Sequence, residues 1–171
     1  MREVSDQFLL NVAEVTSALV GLFLVGVFFF VESGFRGRAR QTIEPYFRSG
    51  TRIVLIVFAI PLLLSLTLVA MKPVWSHLLF AGLCLLLIAA NVDSLRRVRG
   101  VSDTAPALLL NELIGTAAAV VIVTLPWILG GIDPSREDLT WSIMLAFATG
   151  FLSVSTLVLS AFDITRVERR D

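Results

Sequence analysis

A stretch of 24 residues, from Phe8 to Val31, constrains the fold more than any other part of the chain. It reads FLLNVAEVTSALVGLFLVGVFFFV and contains one charged residue, Glu14, and one amide, Asn11. An α-helix of this length extends about 36 Å, enough to cross a hydrocarbon core of roughly 30 Å. It is also longer than the apolar part of a secretory signal, so we predict a retained membrane span.

The rest of the chain repeats this pattern. Of its 171 residues, 56% are hydrophobic and only 16% are charged, whereas soluble domains carry about 25% charged residues. We predict an all-α integral membrane protein, a single domain over residues 1–171, built as a five-transmembrane-helix bundle. The five apolar segments are residues 8–31, 53–71, 74–91, 107–129 and 139–162. The third segment is the shortest, and without it there would be four crossings.

The basic residues predict the orientation of the bundle. Eleven of the 14 lysines and arginines fall in the first loop, the third loop and the C-terminal tail, which lie on one side of a five-span chain. Only Arg2, Lys72 and Arg136 fall on the other side. Basic residues stay cytoplasmic, so we expect the N-terminus outside and the C-terminus inside. As a class, the chain resembles small multi-pass proteins of the prokaryotic inner membrane.

The cytoplasmic loops suit two interpretations. A solvated positive-inside loop is the simpler one, and binding of anionic lipids is the other. The candidate lipid-binding residues are Arg36, Arg38, Arg40, Arg96 and Arg97. On the opposite side, Trp75, Trp127 and Trp141 fall at predicted span ends, where tryptophan anchors a helix at the interface. His77 lies at the same level and is interpreted as an interfacial residue.

Signatures of enzymes and cofactor sites are absent from the sequence. There is one histidine and one cysteine, Cys84, and there is no HExxH, GxSxG or phosphate-binding loop. We therefore predict no enzyme activity, no cofactor and no metal site. The net charge is zero, which gives no general attraction to nucleic acid.

Two carboxylates lie inside predicted spans. Glu14 is about 9 Å below the outer boundary and Glu112 about 8 Å above the inner one, so roughly 13 Å separates them along the membrane normal. A charge in hydrocarbon costs at least a few kcal/mol, so such residues are expected to face the bundle interior or a wet cavity. The two carboxylates would be either successive binding positions on one ion path or two separate structural sites.

Polar residues also share faces of three predicted helices. On the first helix, the four-three spacing groups Gln7, Asn11, Glu14, Ala18 and Gly21. On the fourth helix, Asn111 and Glu112 lie above Gly115, Thr116 and Ala119. On the fifth helix, one stripe holds Thr149, Ser153, Thr156, Ser160 and Asp163. Helix packing explains small and hydroxyl residues in membranes, and a water- or ion-lined surface is the alternative. Pro61 lies midway along the second span and predicts a kink.

These features predict a small homo-oligomeric membrane channel or ion pathway for protons or cations. Its path would use Asn11, Glu14, Asn111, Glu112 and the polar stripe of the fifth span. Five spans are few for enclosing a route within one subunit, so several copies would surround it. The alternative is a non-transporting scaffold or accessory subunit that binds another membrane protein or anionic lipid. A membrane enzyme acting on lipids matches no motif.

Overall fold

The computed structural model describes the chain over residues 4–32, 50–99 and 106–167, and its side chains over 4–29, 50–96 and 114–155. Five helices fill nearly all of these ranges, which contain no β-strand. They are α1 (Asp6–Glu32), α2 (Gly50–Ala70), α3 (Pro73–Arg99), α4 (Pro106–Gly130) and α5 (Arg136–Val167). Each contains one predicted span, although the second span was predicted to end one residue later, at Met71.

Four of the helices are long and apolar enough to cross a membrane, namely α1, α2, α3 and α5. The part of α4 with described side chains contains a shorter apolar stretch, Ile114–Gly130. Only 17% to 39% of the most apolar window of each long helix is buried inside the molecule, so most of its apolar surface faces outward. Such an apolar exterior is what a lipid environment stabilises and what water does not.

Contacts at one end of the bundle show that the helices alternate in direction. Asp6 at the start of α1 pairs with Arg136 at the start of α5. His77, near the start of α3, bonds Pro134, which lies between α4 and α5. The beginning of α1, residues 71–73 and residues 131–135 therefore lie together, and we call this region the hairpin end. Trp75, Trp127 and Trp141 are exposed near it, as expected of interfacial anchors.

The larger of two apolar core clusters receives residues from every helix. Leu9 of α1, Ile60 of α2, Phe80 of α3, Ile122 of α4 and Ile143 of α5 are all fully buried members of it. A second cluster joins α1 to the first half of α2 through Phe23, Val54 and Phe58. Since α1 packs on α2, and α3, α4 and α5 follow one another, α2 lies between α1 and the rest of the bundle.

The predicted kink at Pro61 takes the form of a π-helical turn. Residues Ile60–Leu64 form this turn inside α2, with Pro61 buried in it. Proline has no N–H for the carbonyl of Val57, one α-helical turn earlier, and a wider turn offers that carbonyl an i+5 donor instead. The π turn contacts α1, α3 and α5, so it lies at the centre of the fold.

Candidate functional site

The polar stripe predicted on α1 does lie on one face, and that face points away from the other described helices. Gln7, Asn11, Glu14, Ala18 and Gly21 are all exposed. The opposite face carries Leu9, Ala13, Thr16 and Phe23, all of which are buried. The hydroxyl of Thr16 donates to the carbonyl of Val12 at 2.6 Å, so this buried polar group is satisfied within its own helix.

Glu14 consequently does not face the interior of its own bundle, which was one of the two surroundings expected for a carboxylate in a span. Packing among the described residues does not require the small residues beyond it. A Cβ added to Gly21 would meet no heavy atom within 4 Å, and the same is true of Gly26. Among the described residues, this face of α1 is a polar and then flat surface that no other helix covers.

The structure describes only part of the polar stripe of α5. Thr149 and Ser153 are half-buried, and Ser155 bonds the carbonyl of Phe151 in its own helix at 2.9 Å. The side chains of the other three stripe members, Thr156, Ser160 and Asp163, lie outside the described residues. Helix α5 packs on α4 and on the π turn, whereas α1 packs on α2. Among the described residues, the α1 and α5 stripes therefore belong to helices with different main packing partners.

On α4, the side chains of Asn111 and Glu112 lie outside the described residues. One turn further, the Thr116 hydroxyl donates to Oδ1 of Asn91 on α3 at 3.5 Å. Asn91 is buried, and its Nδ2 donates to the carbonyl of Leu87 at 2.8 Å. Ser94, one turn along α3, is buried as well. A polar contact between α3 and α4 thus lies inside the bundle, and spacing along either helix alone did not indicate it.

The basic residues proposed for lipid binding are mostly beyond the described part of the chain. Arg96 is exposed on α3. The side chain of Arg97 lies outside the described residues, as do Arg36, Arg38 and Arg40 entirely.

The hairpin end carries a polar network that the sequence analysis missed. Nε2 of His77 lies 2.9 Å from the carbonyl oxygen of Pro134, which only accepts, so this nitrogen carries the hydrogen. Asp133 lies 3.8 Å from the same nitrogen. The sequence predicted only an interfacial position for His77. It did not indicate these contacts, because the two partners are 56 and 57 positions away in the chain.

A capping box fixes the start of α5 at this end. The Ser135 N–H and hydroxyl both donate to Asp138 Oδ2, at 2.8 and 2.7 Å. The Asp138 N–H points back to the Ser135 hydroxyl at 3.3 Å. This S-x-x-D pattern is a sequence signal that indicates a helix start at Ser135. It could therefore have placed Arg136 at the first position of α5. Gly130 leaves room for the box, since a Cβ there would lie 3.1 Å from Cγ of Asp138.

The described residues hold no group of three or more His, Cys, Asp or Glu side chains arranged for a metal ion. No protein-family model matches the chain, and comparison with curated proteins and with solved structures finds no match. The helices themselves define the class: this is an all-helical, multi-pass membrane protein.

Proposed function

We propose that the chain is the subunit of a small homo-oligomeric membrane channel that conducts protons or cations. The observation that carries this proposal is that Glu14 is exposed on the outside of a single bundle. It lies eight residues after the start of α1, or about 12 Å along the helix, which is within the hydrocarbon region.

An exposed carboxylate at this depth needs a protein or water neighbour. Facing lipid would cost at least a few kcal/mol, so such groups normally line a protein interface or a wet cavity. No described helix of the same chain covers Glu14. A second copy is the simplest cover, because cyclic symmetry brings the same face of every subunit around one axis. A ring of carboxylates around that axis would favour cations over anions.

The small residues on the same face support a close approach of another helix. Ala18 and Gly21 continue the stripe that contains Glu14, and none of the described residues would meet a Cβ at Gly21 within 4 Å. Small side chains let membrane helices come together closely and gain van der Waals contact. Glu14 and the small residues together therefore form a surface suited to assembly, with one carboxylate in it.

The proposal includes the five-span map, with the N-terminus outside. It is supported by the alternating helix directions at the hairpin end and by the eleven basic residues on the other side. In this map the hairpin end is external, and Arg96, Arg97 and the arginines of the first loop face anionic lipid on the cytoplasmic side. Glu112, Asn111 and the α5 stripe would continue the path inward.

Cation flux into liposomes tests the proposed function. We expect Glu14→Gln to lower proton or monovalent cation flux about tenfold or more, because it removes the charge that offsets ion desolvation. Thr124→Val is the matched control, since the Thr124 hydroxyl bonds its own helix at the Val120 carbonyl, 2.8 Å away, and should leave flux unchanged. Glu112→Gln tests the inner station. Unchanged flux in both glutamine variants would contradict the proposed path.

The second candidate function is an accessory subunit, and it rests on the same exposed face. Another membrane protein would then cover Glu14 and the small residues. Purification in mild detergent separates the two functions: a monodisperse homo-oligomer supports the channel, and a monomer that co-purifies with a fixed partner supports the accessory subunit.

A further inference from the structure

Bulky apolar side chains lie on α1 beyond the small residues that follow Glu14. Val25, Phe28 and Phe29 are 53%, 64% and 64% exposed. None of the three belongs to either apolar core cluster of the described residues. The two phenylalanine rings pack edge-on against each other, with centroids 6.3 Å apart and planes inclined by 73°. The last third of α1 therefore presents apolar side chains that the other described helices do not cover.

These three side chains lie on the face of α1 that carries Glu14. Each residue of an α-helix turns the chain by about 100° and advances it by about 1.5 Å. Val25 comes eleven residues after Glu14, which is about three turns and 20°, or roughly 16 Å along the axis. Phe28 and Phe29 lie about 40° to one side of Glu14 and about 60° to the other. Because α1 is one continuous helix without proline, this face keeps its direction throughout.

The position of Val25 beside the small residues makes this part of the face narrow in the proposed assembly. Ala18 and Gly21 allow the α1 helices of neighbouring copies to approach closely. Val25 follows Gly21 by one helical turn, so it lies next to the point of closest approach. Valine side chains, with phenylalanine rings one turn further along, then surround the axis with apolar surface. Such a constriction loses its water, because nothing in it replaces the hydration of an ion.

We propose that Val25, Phe28 and Phe29 form an apolar gate in the channel, on the cytoplasmic side of Glu14. This inference rests on the proposed function, since a second copy must cover the Glu14 face for these side chains to meet. The carboxylates favour cations, and the gate controls how readily those cations pass. Side chains that face lipid instead would leave flux independent of their polarity.

Cation flux into liposomes tests the gate through a substitution that changes polarity with little change in size. Threonine has nearly the shape of valine, and its hydroxyl can bond a carbonyl of its own helix. We expect Val25→Thr to raise proton or monovalent cation flux at least about threefold, because the hydroxyls let water enter the constriction. Val15→Thr is the matched control. Val15 is 49% exposed on the same helix but lies about 80° around it from Val25, so flux should not change.

Two further variants separate opening of the gate from a general leak. The double change Phe28→Ala and Phe29→Ala removes the rings and should also raise flux about threefold or more, because it widens the constriction. Glu14→Gln in the Val25→Thr background should lower flux again by about tenfold, because the ions still pass the carboxylates. Equal thermal unfolding midpoints of Val25→Thr and Val15→Thr would show that the raised flux does not come from unfolding.

The results distinguish failure of the gate from failure of the channel. Wild-type flux that falls in Glu14→Gln, together with equal flux in Val25→Thr, Val15→Thr and wild type, would overturn the gate and leave the proposed channel unaffected. A raised flux in Val25→Thr that Glu14→Gln does not lower would also overturn the gate, because the opened route would not pass Glu14. No cation flux in either wild type or Val25→Thr would contradict the gate and the channel together.

Discussion

Pro126 lies inside α4 and has no N–H to offer the carbonyl of Ile122, one turn earlier. In water such a carbonyl would bond solvent, but in the interior of a membrane bundle it needs a protein donor. The hydroxyl of Ser142 on α5 supplies it, donating to the Ile122 oxygen at 2.7 Å. Both Pro126 and Ser142 are buried, so this bond ties α4 to α5 at the point where α4 is weakest.

This pairing predicts a coupling between two substitutions on different helices. Ser142→Ala should lower the free energy of unfolding by roughly 1 to 2 kcal/mol, because it leaves the Ile122 carbonyl without a donor. In a Pro126→Ala background the restored N–H serves that carbonyl, and the same substitution should cost less than about 0.5 kcal/mol. Reversible unfolding in mixed detergent micelles measures both costs. Equal costs in the two backgrounds would show that proline and serine act independently.

At the scale of elements, the sequence predicted which residues share a helix face, but it did not predict what each face packs against. The four-three spacing on α1 correctly grouped Asn11, Glu14 and Gly21 on one face. Spacing along a helix does not say what lies opposite, so the exposed position of that face had to come from the packing of α1 on α2. The π turn at Pro61 is a similar case, because the proline predicts a disturbance but not its form.

The contact between α2 and α5 depends on a glycine. A Cβ at Gly150 would lie 2.8 Å from Cε1 of Phe58, whose ring is buried and cannot move into free space. We expect Gly150→Ala to lower the free energy of unfolding by about 1 to 3 kcal/mol through overpacking. Gly82→Ala is the control, because a Cβ there meets nothing within 4 Å and alanine is the better helix former.

The same detergent unfolding assay compares the two glycine variants. Phe58→Leu should restore part of the stability lost in Gly150→Ala, since the smaller side chain makes room for the new methyl group. A Gly150→Ala protein as stable as Gly82→Ala would contradict the close packing of α2 and α5.

At the scale of the whole molecule, hydropathy predicted most of the fold, because a chain dissolved in lipid must satisfy its backbone inside helices. The interfacial tryptophans were predicted from their positions at the ends of the apolar segments. The hairpin-end network was not, since His77 and Pro134 are 57 positions apart and come together only because α4 runs back along α3. The structure describes the side chains of four residues of the predicted path. Asn11 and Glu14 lie on α1, whereas Thr149 and Ser153 lie on α5. The described residues do not join these two pairs into one path.

The central claim is that the Glu14 face of α1 meets the same face of another copy. Thiol cross-linking in native membranes tests it, in a Cys84→Ala background that removes the buried native thiol. Ala18→Cys places a thiol on that face. Ala148→Cys is the matched control, because both alanines are exposed and lie twelve residues after the first residue of their helices.

Helices that surround one symmetry axis bring identical positions together. An oxidant or a short bifunctional thiol reagent should therefore link Ala18→Cys subunits into dimers and leave Ala148→Cys subunits monomeric. Ala18→Cys subunits that stay monomeric in the membrane, or Ala148→Cys subunits that cross-link as strongly, would contradict an assembly built on this face.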